Sequence, residues 1–210
     1  MFIITGILGG ILTGLGIWFT MKKLPLPPEK EKLKLPLGII VVVLGIIAGG
    51  VIPNRTDLWS TWIRLLFILT VLAITVYTDF RNYKIPNPCI AALLIGFPVC
   101  TVLDCIAVGQ FSFGLFLGGI IAFAAAFAFL VLFRRLSHNG IGYGDIKLVS
   151  ALAAILGLYG TIFVLFIGEL AALLFAGILI LLKKLTMKGR IPFAPFWYIG
   201  YIISLILGTF

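Results

Sequence analysis

Gly142-Tyr143-Gly144-Asp145-Ile146-Lys147-Leu148 opens an apolar run that continues to Leu182, with Lys147 and Glu169 as its only charges after Asp145. A carboxylic acid thus stands at the head of a membrane-length apolar sequence. A second acid, Asp79, closes another apolar run much earlier in the chain and is followed by Ile85-Pro86-Asn87. An acid placed within a membrane span costs roughly 2.5–3.5 kcal/mol on insertion scales, so such residues are functional candidates by default.

Working outward from that stretch, the chain is 62% hydrophobic and 11% charged, with mean hydropathy +1.24. Soluble domains average about 25% charged residues, so the bilayer is this chain's solvent. Backbone polar groups in lipid must be satisfied internally, which leaves helices or a closed barrel. The apolar runs are roughly 16 to 23 residues long and do not alternate in polarity. They therefore predict helices.

Charge placement sets the topology. Lys22, Lys23, Lys30, Lys32 and Lys34 follow the first run, Arg81 and Lys84 the third. Arg134, Arg135 and Lys147 surround the glycine-rich stretch, and Lys183, Lys184, Lys188 and Arg190 precede the last run. Only Arg55 and Arg64 fall elsewhere. Positive charge in alternate loops marks the cytoplasmic side, so the net charge of +9 reads as topology and attraction to anionic lipid; nucleic acid is set aside. Spans are expected near 1–20, 37–53, 63–80, 89–105, 111–133 and 192–209. Parity requires two further crossings between the glycine-rich stretch and Lys183, with a bend near Gly157 and Gly160. The expectation is an all-α polytopic membrane protein of about eight transmembrane helices with both termini outside. Residues 1–62 would form a two-span region and 63–210 a six-span catalytic domain.

Among the seven acids, Glu29, Glu31 and Asp57 read as loop residues and Asp104 as interfacial at an outer boundary. Asp79, Asp145 and Glu169 remain. On this topology both aspartates belong to the inner edge. Two acids at one depth can share a proton: one carboxylate takes a proton from water while its protonated partner polarises a carbonyl. Gly142 and Gly144 would give backbone freedom and close approach for an extended substrate. Asn87 would cap a helix with Pro88 in its first turn. Lys147, two residues from Asp145, faces elsewhere on a helix and either snorkels to headgroups or orients the loop. Glu169 is either hydrogen-bonded to a neighbouring helix or part of a cavity. The first span's Gly6, Gly9, Gly10, Gly14 and Gly16 make a smooth packing face. Cys89, Cys100 and Cys105 read as buried thiols, His138 as a loop residue, and no metal site is expected.

Asp79 with Ile85-Pro86-Asn87, then Gly142-Tyr143-Gly144-Asp145-Ile146-Lys147-Leu148, then Ile191-Pro192-Phe193-Ala194-Pro195-Phe196, together resemble the type IV prepilin peptidases. These are G-x-G-D membrane aspartic proteases, and the resemblance covers roughly residues 63–210. It implies that Asp79 and Asp145 are catalytic and that Gly142, Gly144, Lys147, Pro86, Asn87 and Glu169 are binding or supporting candidates. It also implies a prepilin or pseudopilin substrate whose short basic leader is cut at the cytoplasmic face, and a multi-pass protein of the cell membrane. Many bacterial members carry a larger first loop with paired C-x-x-C motifs that bind zinc, and methylate the new N-terminus with S-adenosylmethionine. The loop from Lys22 to Leu35 has no cysteine. Zinc is therefore not expected, proteolysis needs no cofactor, and S-adenosylmethionine enters only if methyl transfer is retained. A presenilin-like intramembrane protease and a proton-coupled transporter using Asp79, Asp145 and Glu169 as relay sites are the alternatives.

Overall fold

A computed structural model describes residues 2–24, 27–52, 58–137, 140–184 and 191–209. The expectations for Arg55, Asp57, His138, Lys188 and Arg190 lie outside the described residues, as do the side chains of Glu29 and Lys32. The described residues form α1 (Phe2–Lys23), α2 (Lys34–Val51), α3 (Trp59–Asn82), α4 (Asn87–Val108), α5 (Phe113–Leu136), α6 (Tyr143–Leu181) and α7 (Ala194–Leu207), with one 3-10 turn at Pro28–Leu33. No strand occurs among them.

Six of these helices, α1 to α6, are long and apolar enough to cross a membrane, while α7 has 14 residues. The expected bend is present. Gly157 breaks α6 with φ 76 and ψ 168, a left-handed backbone that side-chain-bearing residues rarely adopt. Val149 and Leu165 each lie eight residues from Gly157, and they wall the same cavity. The two arms, 143–156 and 158–181, therefore fold back beside each other.

Close helix packing rests on small residues, since lipid supplies no hydrophobic drive between helices. A Cβ built on Gly9 would lie 2.6 Å from the Gly45 carbonyl and 3.1 Å from Gly49 Cα. The smooth face of α1 thus meets a matching one on α2. The second arm of α6 meets α7 in the same way: a Cβ on Gly200 would lie 2.9 Å from the Gly168 nitrogen.

The core is centred on α3. Leu65, Ile68, Leu69, Leu72 and Ala73 are buried, packed with Leu148, Leu152, Tyr198 and Tyr201. Tyr198 Oη donates to the Val41 carbonyl at 3.0 Å and Tyr201 Oη to the Leu65 carbonyl at 2.8 Å. These bonds satisfy two buried phenols and tie α7 to α2 and α3.

Asp104 is paired: Arg64 Nη1 donates to its Oδ2 at 2.6 Å, with only 26% and 14% of the two side chains exposed. A partner was required because a carboxylate removed from water must be paired. Asn87 is the first residue of α4, and Pro86 holds the N-cap with no side-chain cap bond. The expected Asn87 cap is thus corrected: Pro86 sits at φ −73 and ψ 135, and Pro88 in the first turn removes one N–H that a cap oxygen would otherwise serve.

Candidate active site

Asp79 lies in the last full turn of α3 and is 5% exposed. Its main-chain carbonyl accepts the N–H of Tyr83 at 2.7 Å, closing the helix with Tyr83 in a left-handed turn. Its side-chain Oδ2 accepts the Ala194 N–H at 3.0 Å. That donor exists because the first turn of a helix has spare N–H groups. Pro192 and Pro195 flank the site and have no N–H to give, so the start of α7 presents few donors, and one goes to Asp79.

Asp145 lies in the first turn of α6. It walls a cavity of about 370 Å³ whose other lining residues are largely apolar, among them Phe129, Ile146, Leu165 and Phe193. Asp145 is within electrostatic reach of both Asp79 and Glu169. The two aspartates, 66 positions apart in sequence, are therefore brought to one end of the bundle.

The glycines act by space. Gly142 has φ −70 and ψ 145, a conformation open to any residue, so backbone freedom is not its contribution. A Cβ there would lie 2.7 Å from Asp145 Oδ2; its absence makes room for the carboxyl. Gly144 faces Ile85, whose Cβ would be 3.4 Å from an added Cβ. The start of α6 thus rests on the loop carrying Ile85-Pro86-Asn87. Pro86 and Asn87 help build that platform but do not wall the cavity. Lys147 is exposed and also stands away from the cavity wall.

Glu169 joins the site from the second arm of α6. It lies twelve residues after Gly157, as Asp145 lies twelve before it, so the hairpin places the two at one depth. Glu169 walls the same cavity, and its Oε1 accepts the Trp197 Nε1–H at 3.0 Å. Glu169 is thus both bonded to a neighbouring helix and part of the cavity wall. Among the described residues no group of three or more His, Cys, Asp or Glu is placed to hold a metal ion.

Four contributors were not read from the sequence. Ala194 and Trp197 sit within or beside the quoted Ile191–Phe196 stretch, and a proline-flanked helix start with an unclaimed N–H was the available signal. Lys30 Nζ donates to the Phe80 carbonyl at 2.6 Å and lies over the Tyr83 ring at 4.5 Å. Arg134 Nη1 donates to the Ile141 carbonyl, and its guanidinium lies 4.1 Å from the Tyr143 ring centre. This arginine pins the loop ahead of Asp145. Lys30 and Arg134 appeared in sequence only as topological charge.

The family model of the type IV leader peptidase family matches residues 66–182. The chain is similar to a prepilin leader peptidase/N-methyltransferase of Aeromonas hydrophila, 30% identical over 172 residues, which is 81% of this chain and 58% of the relative. A protein of the same name from Aeromonas salmonicida (strain A449) is 28% identical over 171 residues, 81% of this chain and 57% of its own. One from Bacillus subtilis (strain 168) is 29% identical over 140 residues, 67% and 54% of the two chains. The chain thus spans little more than half the length of these relatives. No solved structure matches it.

Proposed function

This chain belongs to the type IV leader peptidase family, and on that premise we propose that it is a membrane aspartic endopeptidase removing the basic leader from prepilin-like precursors. The observation that carries the reading is that Asp145 walls the cavity while Asp79, within its electrostatic reach, is bonded to Ala194 next to the cavity-lining Phe193.

The chemistry follows from two carboxyls sharing one proton. A water molecule held between them gives a proton to the ionised carboxylate as its oxygen attacks the scissile carbonyl carbon. The protonated partner donates its hydrogen bond to the carbonyl oxygen. The tetrahedral intermediate then collapses: the C–N bond breaks and the leaving nitrogen takes a proton from the pair. The Ala194 N–H fixes one oxygen of Asp79 throughout. The apolar cavity walls keep bulk water from competing for these hydrogen bonds.

In this proposal α6 crosses the bilayer twice about Gly157 and α7 crosses once, giving eight crossings with both termini outside. The acids then face the cytoplasm of a cell membrane. Residues 63–210 form the peptidase unit, and 1–62 precede it as a two-span region. The leader's basic segment stays at the inner surface, the scissile bond reaches the acids, and the following apolar helix lies in the bilayer. Proteolysis uses no cofactor; methyl transfer would draw on S-adenosylmethionine.

The test is mass spectrometry of a co-expressed prepilin. Wild-type protein should yield a new N-terminus at the leader boundary, and Asp79→Asn or Asp145→Asn should leave the precursor whole. Precursor cut equally by both variants would refute the mechanism. A mass increment of one methyl on the new N-terminus would report the second activity in the same spectrum.

A further inference from the structure

A trough of about 400 Å³ runs between α5 and the second arm of α6, lined by Ala125, Ala126, Leu158, Thr161 and Ile162 among others. It is continuous with the cavity of the acids: Phe129, Leu130, Val149 and Leu165 wall both. Its floor is buried, with Val149 and Thr161 each 3% exposed and Ala126 9%, whereas the rim residue Ile162 is 62% exposed. The trough is thus open along its side and closed beneath.

Resting on the protease reading, we propose that this trough seats the apolar helix that follows the scissile bond of the precursor. Continuity identifies the occupant. From Leu158 to Glu169 the second arm of α6 rises roughly 17 Å at 1.5 Å per residue, enough for three turns of an incoming helix. The trough begins by the bend, at Leu158, and leads through its shared walls into the cavity that Asp145 and Glu169 line. A helix lying in it presents its N-terminal end to the acids, which is where a leader boundary must be. The floor uses small or β-branched side chains, the kind that let helix backbones approach in lipid. The surface that the trough presents is apolar throughout, which suits an apolar helix and not a polar segment.

The experiment compares two substrates, a full precursor in detergent micelles and a short peptide that spans the scissile bond but stops before the apolar helix. Ala125→Trp fills the trough from its exposed rim. It should lower kcat/KM on the precursor at least tenfold and leave the short peptide within twofold of wild type. Equal activity on the precursor, or equal losses on both substrates, would overturn the proposal. A photo-crosslinker at Ile162 in Asp145→Asn protein should trap the precursor, whereas one at the exposed Ile106 of α4 should not. Adducts with lipid alone, or equal trapping at both positions, would also overturn it. Wild-type protein that cuts neither substrate would instead remove the protease reading, and this proposal with it.

Discussion

The two ends of the bundle treat an aspartate differently. At one end Asp104, on α4, meets the guanidinium of Arg64 at 2.6 Å. At the other, Asp79 takes a neutral main-chain N–H from Ala194, and Asp145 stands at the wall of a cavity. The first arrangement consumes the carboxylate in an ion pair. The second holds its carboxyls in place but leaves oxygens for water and a carbonyl. The same side chain is paired where a cation meets it and, in the proposed reaction, chemical where a neutral donor does.

The largest expected effect tests that division directly. Asp79→Asn and Asp145→Asn should each reduce cleavage by roughly a thousandfold or more, as expected when a general acid or base is removed. Asp104→Asn should leave kcat within a small factor of wild type. An Asp104 variant as inactive as the other two, yet folded, would erase the distinction.

Stability should rank the sites in reverse. Asp104→Asn strands the partly buried Arg64 and should destabilise the protein by about 2 kcal/mol in detergent unfolding. This is below the figure for a fully buried pair because both side chains retain some exposure. The double change Arg64→Met with Asp104→Leu should recover most of the loss, since apolar replacement of both partners removes the stranded charge. A double variant no better than the single would show that the pair does more than neutralise itself.

The glycines sharpen the active end. Gly142→Ala pushes a methyl to 2.7 Å from Asp145 Oδ2, whereas Gly144→Ala meets Ile85 at an ordinary 3.4 Å. The first should lower kcat by about tenfold through displacement of the carboxyl, and the second by much less. Both variants should fold alike in a thermal scan. Equal losses would mean that the start of α6, and not the carboxyl, is what these residues protect.

How far this was legible depends on the kind of information involved. The apolar runs specify helices, because lipid tolerates so few backbone solutions. The bend near Gly157 followed from counting crossings, and the acids from the cost of placing them in an apolar run. Contacts between distant segments were not legible. The Ala194 bond to Asp79 joins residues 115 positions apart, and the Arg64–Asp104 pair requires knowing that two helices meet at one height. Backbone freedom was the wrong part of the reading for Gly142, because sequence does not reveal φ and ψ. Once they are known, space explains the residue better than freedom.

The smallest expected effect concerns Lys30, the counterpart to Arg64 at the end that holds Asp79. It lies within electrostatic reach of Asp79, yet its Nζ donates to the Phe80 carbonyl at 2.6 Å. A cation at a helix C-terminus satisfies a carbonyl that has no intrahelical donor and opposes the dipole's negative end. Here it also steadies the turn that carries Asp79 without engaging the carboxylate. Such a contact is worth about 0.3–1 kcal/mol, so Lys30→Met should reduce kcat about twofold to fivefold with KM unchanged. Lys30→Arg, which can reach the same carbonyl, should restore it. If instead Lys30→Met raised KM alone, the lysine would belong to substrate binding, and the contrast with Arg64 would lie in the ligand rather than in the helix end.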